Sequence, residues 1–210
     1  MAKNSNPGMF IVFIAIAGIV MGIILVTAPE TTTAPTETKS QEISATNEQL
    51  YRDNAPYSGN KNGEIKIVVF SDYLCPYCKK LSLQLDELVK KHSSLIVYNR
   101  SFVVHPQSEV LSKAVEAASI QGKGGEANTL VFNEYTEITS EDDILSLADK
   151  LKINKDQFKK DLESETVSKN VLNDSETAQQ LGLQGTPSIF LNGRYIDNPS
   201  DIESMIDELK

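Results

Sequence analysis

The chain is 210 residues long and carries 20 Lys and Arg against 29 Asp and Glu, a formal net charge of −9. That balance argues against nucleic acid as a partner, because phosphate backbones are bound through basic patches. The only two cysteines, Cys75 and Cys78, have no other disulfide partner within the chain. The first segment with a clear signature is residues 9–28 (MFIVFIAIAGIVMGIILVTA), which hold no charge. That length suffices for a helix to cross the hydrocarbon core of a bilayer. A secretory signal peptide is the competing reading. Val26-Thr27-Ala28 offers the small residues of a cleavage site, but Pro29 follows it directly and opposes cleavage. The segment is therefore read as an uncleaved anchor. Lys3 and the N-terminal amine precede the span, and the next basic residue after it is Lys39. The positive-inside rule then puts residues 1–8 in the cytoplasm and the rest of the chain outside. Residues 29–50 are rich in Thr, Glu, Ser and Pro and poor in large apolar groups. They are read as a disordered stalk, with a random-coil span on the order of 25 Å.

Residues 65–70 (IKIVVF) form a short apolar run rich in β-branched side chains, which predicts a buried strand. Ser71-Asp72-Tyr73-Leu74 makes a turn. Beyond Cys78, Leu81, Leu85, Leu88 and Val89 recur at helical spacing, and Lys79, Lys80, Gln84, Asp86 and Lys90 are assigned to the other face. The tetrapeptide Cys75-Pro76-Tyr77-Cys78 thus sits where a strand feeds a helix. Pro76 suits the first helical position, and Cys75 the N-cap, where unpaired N–H groups and the helix dipole favour a thiolate. Closing so short a ring would remove little entropy from the unfolded chain, so the pair reads as a reagent rather than a staple. A C-x-x-C can also supply half of a zinc site. Structural zinc needs four ligands, and the chain adds only His92 and His105.

A second strand is predicted over residues 95–104 (LIVYNRSFVV). Helical patterns follow. Val110, Leu111, Ala114, Val115 and Ala118 make one stripe, ended by Gly122-Lys123-Gly124-Gly125. Ser140 and Asp143 suggest a capping box ahead of Ile144, Leu145, Leu147, Ala148 and Leu151. Asn154 caps a helix with Phe158 and Leu162 inward, and another runs through Val171, Leu172, Ala178 and Leu181 to Gly182. Asn192-Gly193 between apolar runs predicts a hairpin, and Ile202, Met205, Ile206 and Leu209 a closing helix. The order predicts one α/β domain with a mixed sheet covered by helices.

Three stretches together resemble the DsbA-like branch of the thioredoxin superfamily, in its membrane-anchored, extracytoplasmic form. They are Asp53-Asn54-Ala55-Pro56 with Gly59-Asn60, then Val69-Phe70-Ser71-Asp72-Tyr73-Leu74-Cys75-Pro76-Tyr77-Cys78, then Leu183-Gln184-Gly185-Thr186-Pro187-Ser188 and its following strand. The resemblance covers residues 51–210. It implies a thioredoxin-like fold with a mixed central sheet and a helical insertion over about residues 106–181. It implies that Cys75 is the exposed attacking cysteine and Cys78 the buried resolving one. Pro76 and Tyr77 would tune the thiolate. Asp72 matches the family pattern, with the capping of a turn as its plainer role. Thr186-Pro187 would hold a cis bond beside the cysteines, with the Thr186 backbone pairing with an extended substrate. His105 before Pro106 also matches a recurrent position, and a local hydrogen bond is its plainer role. Many relatives carry a buried acid in the strand before the motif, where this chain has Val69. The route of the Cys78 proton is thereby left open.

The expected activity is thiol–disulfide exchange, introducing disulfides into extracytoplasmic proteins with the Cys75–Cys78 pair as the only redox group and no metal. Expected partners are reduced or unfolded secreted proteins and a membrane redox partner that resets the pair. The expected location is the cell membrane, single-pass, with the catalytic domain outside. A reductase or isomerase of the same fold reverses the flow or reshuffles the bonds. A peptide-binding or chaperone module along Thr186-Pro187 is the reading from another class. The stalk has no heptad pattern, so the soluble part is expected to be a monomer.

Overall fold

The computed structural model describes residues 43–135 and 140–209. The predicted anchor over residues 9–28 lies outside them. Among the described residues no helix is long and apolar enough to cross a membrane.

Five strands form one sheet in the order β1-β3-β2-β4-β5: β1 Tyr57–Gly59, β2 Ile65–Ser71, β3 Leu95–Ser101, β4 Ser188–Leu191 and β5 Arg194–Ile196. β2 runs parallel to β3 and antiparallel to β4, with β1 and β5 as antiparallel edges. The sheet is mixed, as predicted. The β2 run is almost continuously apolar because this strand is covered on both faces. Ile65, Ile67 and Val69 pack with Leu81, Leu85 and Leu88 of α2 (Pro76–Lys91) and with Ile202 and Ile206 of α8 (Ile202–Asp207). Val68 and Phe70 face the other way, onto Leu50, Ala178, Leu181 and Phe190.

The helical block between β3 and β4 contains α3 (Glu109–Ile120), α4 (Gly124–Glu134), α5 (Glu141–Leu151), α6 (Lys155–Leu162) and α7 (Glu165–Gln180). The capping box of Ser140 with Asp143, the Asn154 cap and the left-handed Gly182 after α7 stand where the sequence places them. Asn192 and Gly193 both have positive φ, as a two-residue hairpin of this hand requires.

Several elements differ from the sequence reading. The assigned stalk reached residue 50, but Asn47–Leu50 is a helix, α1, with a Thr46–Gln49 capping box. Leu50 is completely buried, and Ile43 and Ala45 pack on the same cluster. The short edge strand β1 was not foreseen. β3 stops at Ser101, not residue 104: Phe102 N–H still donates to the Ser71 carbonyl, but the amides after it turn to side chains. Val103 N–H donates to Ser175, and Val104 and His105 N–H to Asp72. Gly124-Gly125 ends no helix but opens α4. Leu172 lies exposed on α7, and the closing helix ends at Asp207, so Leu209 lies exposed beyond it.

A buried charged cluster ties α1 to the block. Asp174 of α7 accepts from Arg100 Nε at 2.6 Å and from Arg52 Nε at 3.1 Å. Arg52 also pairs with Glu116 of α3, and Arg100 Nη1 donates to the Leu50 carbonyl at 2.7 Å. Burial outweighs the attraction of Arg52 and pushes the Glu116 carboxyl up to about 7.

Candidate active site

The site forms where the carboxyl end of β2 turns into α2. Asp72 is wholly buried at that turn. Its Oδ1 accepts from Leu74 N–H at 2.8 Å, and its Oδ2 from Val104 N–H at 2.8 Å, His105 N–H at 2.8 Å and the Ser108 hydroxyl at 2.7 Å. Burial opposes its charge, but the donors from His105, Ser108, Leu74 and Val104 together hold its carboxyl below the ordinary range. The Asp72 carbonyl accepts from Cys75 N–H at 3.1 Å. The turn that presents the cysteines is thereby stitched to the loop after β3. The His105 ring belongs to the same knot, with Nδ1 3.1 Å from Asp72 Oδ1.

Cys75 is the N-cap of α2 and Pro76 its first residue. The cap makes no side-chain hydrogen bond to the helix amides. The Cys75 sulfur turns instead to the Thr186 carbonyl, 3.4 Å away. Thr186-Pro187 is cis, and Ser188 Oγ closes its turn on Gly185 O at 2.7 Å. The structure thus brings Thr186 to Cys75 and Cys78, although more than a hundred positions separate it from them in sequence. Both thiols are free. Cys75 is 8% exposed and Cys78 2%, so the expected contrast between an exposed and a buried cysteine is small here. The residues between them carry the exposure: Tyr77 is 73% exposed. Burial pushes the Cys78 thiol up to about 12, against hydrogen bonds from the Asp72 backbone and the Thr186 side chain.

Val69, in place of an acid, is buried among apolar neighbours of α2 and α8. Other polar residues near the site escaped the sequence reading. Tyr73 is buried in the same cluster as both cysteines, and its hydroxyl donates to Asn128 Oδ1 at 3.0 Å. Asn128 Nδ2 donates to Ser82 Oγ at 3.2 Å. The sequence pattern places Asp86 on the outer face of α2. It is half-buried instead, and its Oδ2 accepts from the Thr129 hydroxyl at 2.8 Å. Cys78, Ser82 and Asp86 follow one another at four-residue steps, the signal that could have placed them on one face. Among the described residues no three His, Cys, Asp or Glu side chains gather as a metal site.

A family model described as "Thioredoxin" matches residues 52–210. "Probable disulfide bond formation protein D" of Bacillus cereus is 30% identical over 176 residues, covering 77% of this chain and 76% of that protein. "Na(+)/H(+) antiporter NhaA 3" of Salinispora tropica is 28% identical over 150 residues, covering 70% of this chain but 23% of the antiporter. The chain therefore spans about a quarter of the length of the first curated relatives it matches. A thioredoxin-like oxidoreductase from Silicibacter pomeroyi superposes with a TM-score of 0.66 at 25% identity, covering 79% of this chain and 98% of its own. Oxidised BdbD from Bacillus subtilis shares the fold with a TM-score of 0.66 at 22% identity, covering 80% and 96%.

Proposed function

Because the chain belongs to the thioredoxin family, in its DsbA-like branch of thiol–disulfide oxidoreductases, we propose that it donates the Cys75–Cys78 disulfide to extracytoplasmic proteins. The observation that carries this reading is the Cys75–Cys78 pair at the start of α2, with the Thr186 carbonyl 3.4 Å from the Cys75 sulfur. A substrate thiolate attacks the Cys75 sulfur, and Cys78 leaves with the electron pair of the S–S bond. A thiol whose pKa lies near 12 takes up a proton at once at neutral pH. A second substrate thiolate then attacks the substrate sulfur of the mixed disulfide and expels Cys75 as thiolate. Two electrons have passed from substrate to protein. A membrane partner takes them back.

Thr186 contributes twice. Its carbonyl fixes the Cys75 sulfur, and its side chain helps to stabilise the Cys78 thiolate as it leaves. Asp72 acts through the backbone, by holding the turn. Pro76 and Tyr77 form the exposed rim where a client chain arrives. The uncharged span over residues 9–28 supports a single-pass tether with the catalytic domain outside. The disulfide-formation name of the Bacillus cereus relative fits the oxidising direction.

The test mixes the oxidised protein with a reduced, unfolded client. Wild type oxidises it, Cys75→Ser does nothing, and Cys78→Ser accumulates a Cys75–client mixed disulfide. A wild-type protein that leaves the client reduced, but in its dithiol form cleaves insulin disulfides, would be a reductase instead.

A further inference from the structure

Cys78 is buried, and each catalytic cycle must deliver a proton to it and take one away. No acid stands beneath it in β2, where Val69 is enclosed in an apolar cluster. The buried face of α2 offers another path. Ser82 lies one turn beyond Cys78, and Asp86 one turn beyond Ser82, so the three share a face. Ser82 Oγ is held by Asn128, which also holds the Tyr73 hydroxyl. Ser82, Asp86, Asn99 and Asn128 wall a chamber of about 10 Å³ between α2, α4 and the sheet, about the room that a single water needs. The Asn99 Nδ2 on that wall is buried, and among the described residues it has no hydrogen-bond partner. An unpaired buried amide is costly, and one bridging water would satisfy it. The far wall, formed by Ser58, Asp86 and Val89, also borders an open cleft of about 470 Å³ between β1, α2 and α4. Ser82, Asn128, Asn99 and Asp86 thus line a path from one turn beyond Cys78 towards the cleft, with Leu85, Val89 and Val97 completing the chamber wall.

Resting on the exchange activity proposed above, we propose that this path is the proton route of Cys78, with water in the chamber at Asn99 and Asp86 as the positioned acceptor at its mouth. When the pair is reoxidised, the Cys78 thiol gives its proton through the Ser82 hydroxyl and the chamber water to Asp86, which releases it to the cleft. The Cys78 sulfur, now bearing the freed electron pair, attacks Cys75 and expels the partner's thiolate. When the pair is reduced, the same groups return a proton to the departing Cys78. Asp86 suits the task. Burial raises its pKa above the ordinary aspartate value, opposed by the Thr129 hydrogen bond and by Lys90, with Glu87 adding repulsion. Those groups, with Glu126 across the cleft, are the charged and hydrogen-bonding neighbours that face it. Around Cys78 stand the Asp72 backbone, Thr186, Cys75 and Tyr73.

The experiment follows the full-length dithiol protein mixed with oxidised glutathione in a stopped-flow instrument. The first phase is attack by Cys75, which forms the Cys75–glutathione disulfide and releases one glutathione. The second is attack by Cys78, which closes the Cys75–Cys78 bond and releases the other. Asp86→Asn is expected to slow only the second phase, by about a hundredfold at neutral pH, the low end for a positioned proton-transfer group. It is also expected to lose the acid-side bend that wild type shows in the second-phase pH profile. Added acetate should restore part of the rate, Asp86→Glu should recover it, and Ser82→Ala should slow the same phase. Second phases equal to wild type at every pH would overturn the proposal. So would a slower second phase with an unchanged pH profile and no response to acetate, which marks a merely structural role. A wild-type protein with no second phase would remove the underlying exchange activity, and the proton path with it.

Discussion

At Asp72 one buried carboxylate accepts from the backbone amides of Leu74, Val104 and His105 and from the Ser108 hydroxyl. Neutralising it withdraws four charge-assisted bonds from the turn that carries Cys75. Asp72→Asn is expected to cost about 3 kcal/mol near neutral pH, since its amide also points donors at donors. The pH dependence has a definite sign. A carboxyl held below its unfolded value contributes stability above the ordinary 3.8 and loses it as pH falls through its folded value. The gap between wild type and Asp72→Asn in urea unfolding should therefore be full at pH 7 and close as the pH drops below about 3.8. The turn-capping role of Asp72 and the local role of His105 were legible in the sequence, because Asp closing its own turn is a short-range effect. Asp86 was misplaced because it sits at the edge of the buried face, where charge alone suggests exposure. Only α4, which brings Thr129 to it, shows that it turns inward.

At the scale of elements, the legible ones have their cause within a few residues. β2 is a long β-branched run, α2 a clean apolar stripe behind proline, α5 a capping box, and the β4–β5 hairpin an Asn-Gly turn. The missed ones have theirs elsewhere. α1 and β1 are four and three residues long, too short to show a period. α4 opens on two glycines, which disfavour a helix. Their reason is close packing: a Cβ on Gly125 would stand 2.5 Å from Tyr57 O, and one on Gly124 3.0 Å from Pro56. Gly125→Ala should thus destabilise the protein despite its better helix propensity. An overpacking cost of about 2–3 kcal/mol exceeds a propensity gain of about 1 kcal/mol. Thermal and urea unfolding of the variant read the difference. An alanine that stabilised the protein would mean that β1 and α4 approach less closely.

For the whole molecule, the domain begins before the residue at which its composition changes. Leu50 is fully buried, and the carbonyls of Gln49 and Leu50 accept from Arg100. Leu50→Ala in the full chain is expected to cost about 3 kcal/mol, in the range for large-to-small core changes. It should leave client oxidation intact at temperatures where the protein stays folded, since Leu50 belongs to the cluster that covers the Phe70 face of the sheet, whereas the cysteines pack in the helical layer. Denaturant midpoints, together with the client assay, separate the two effects. An unchanged midpoint would make the segment before residue 51 a tether and nothing more. The pairing of half-buried Arg52 with buried Asp174 and Glu116, beside Arg100, explains why polar residues before β1 are held at all. Removing Arg52 would leave Glu116 without a charged partner, and removing Asp174 would leave Arg100 without one.

The strand–turn–helix that bears the cysteines, the all-helical middle and the mixed sheet are legible along the chain, because each rests on local periodicity, turn chemistry or residue spacing. Packing alone brings the Thr186 carbonyl to the Cys75 sulfur, places Leu50 of α1 in the core and starts α4 at a diglycine. It also makes Ser82, Asn128, Asn99 and Asp86 converge on one chamber. Those are contacts between segments far apart in the chain, and their register is set by how helices and sheet pack, which no local pattern encodes.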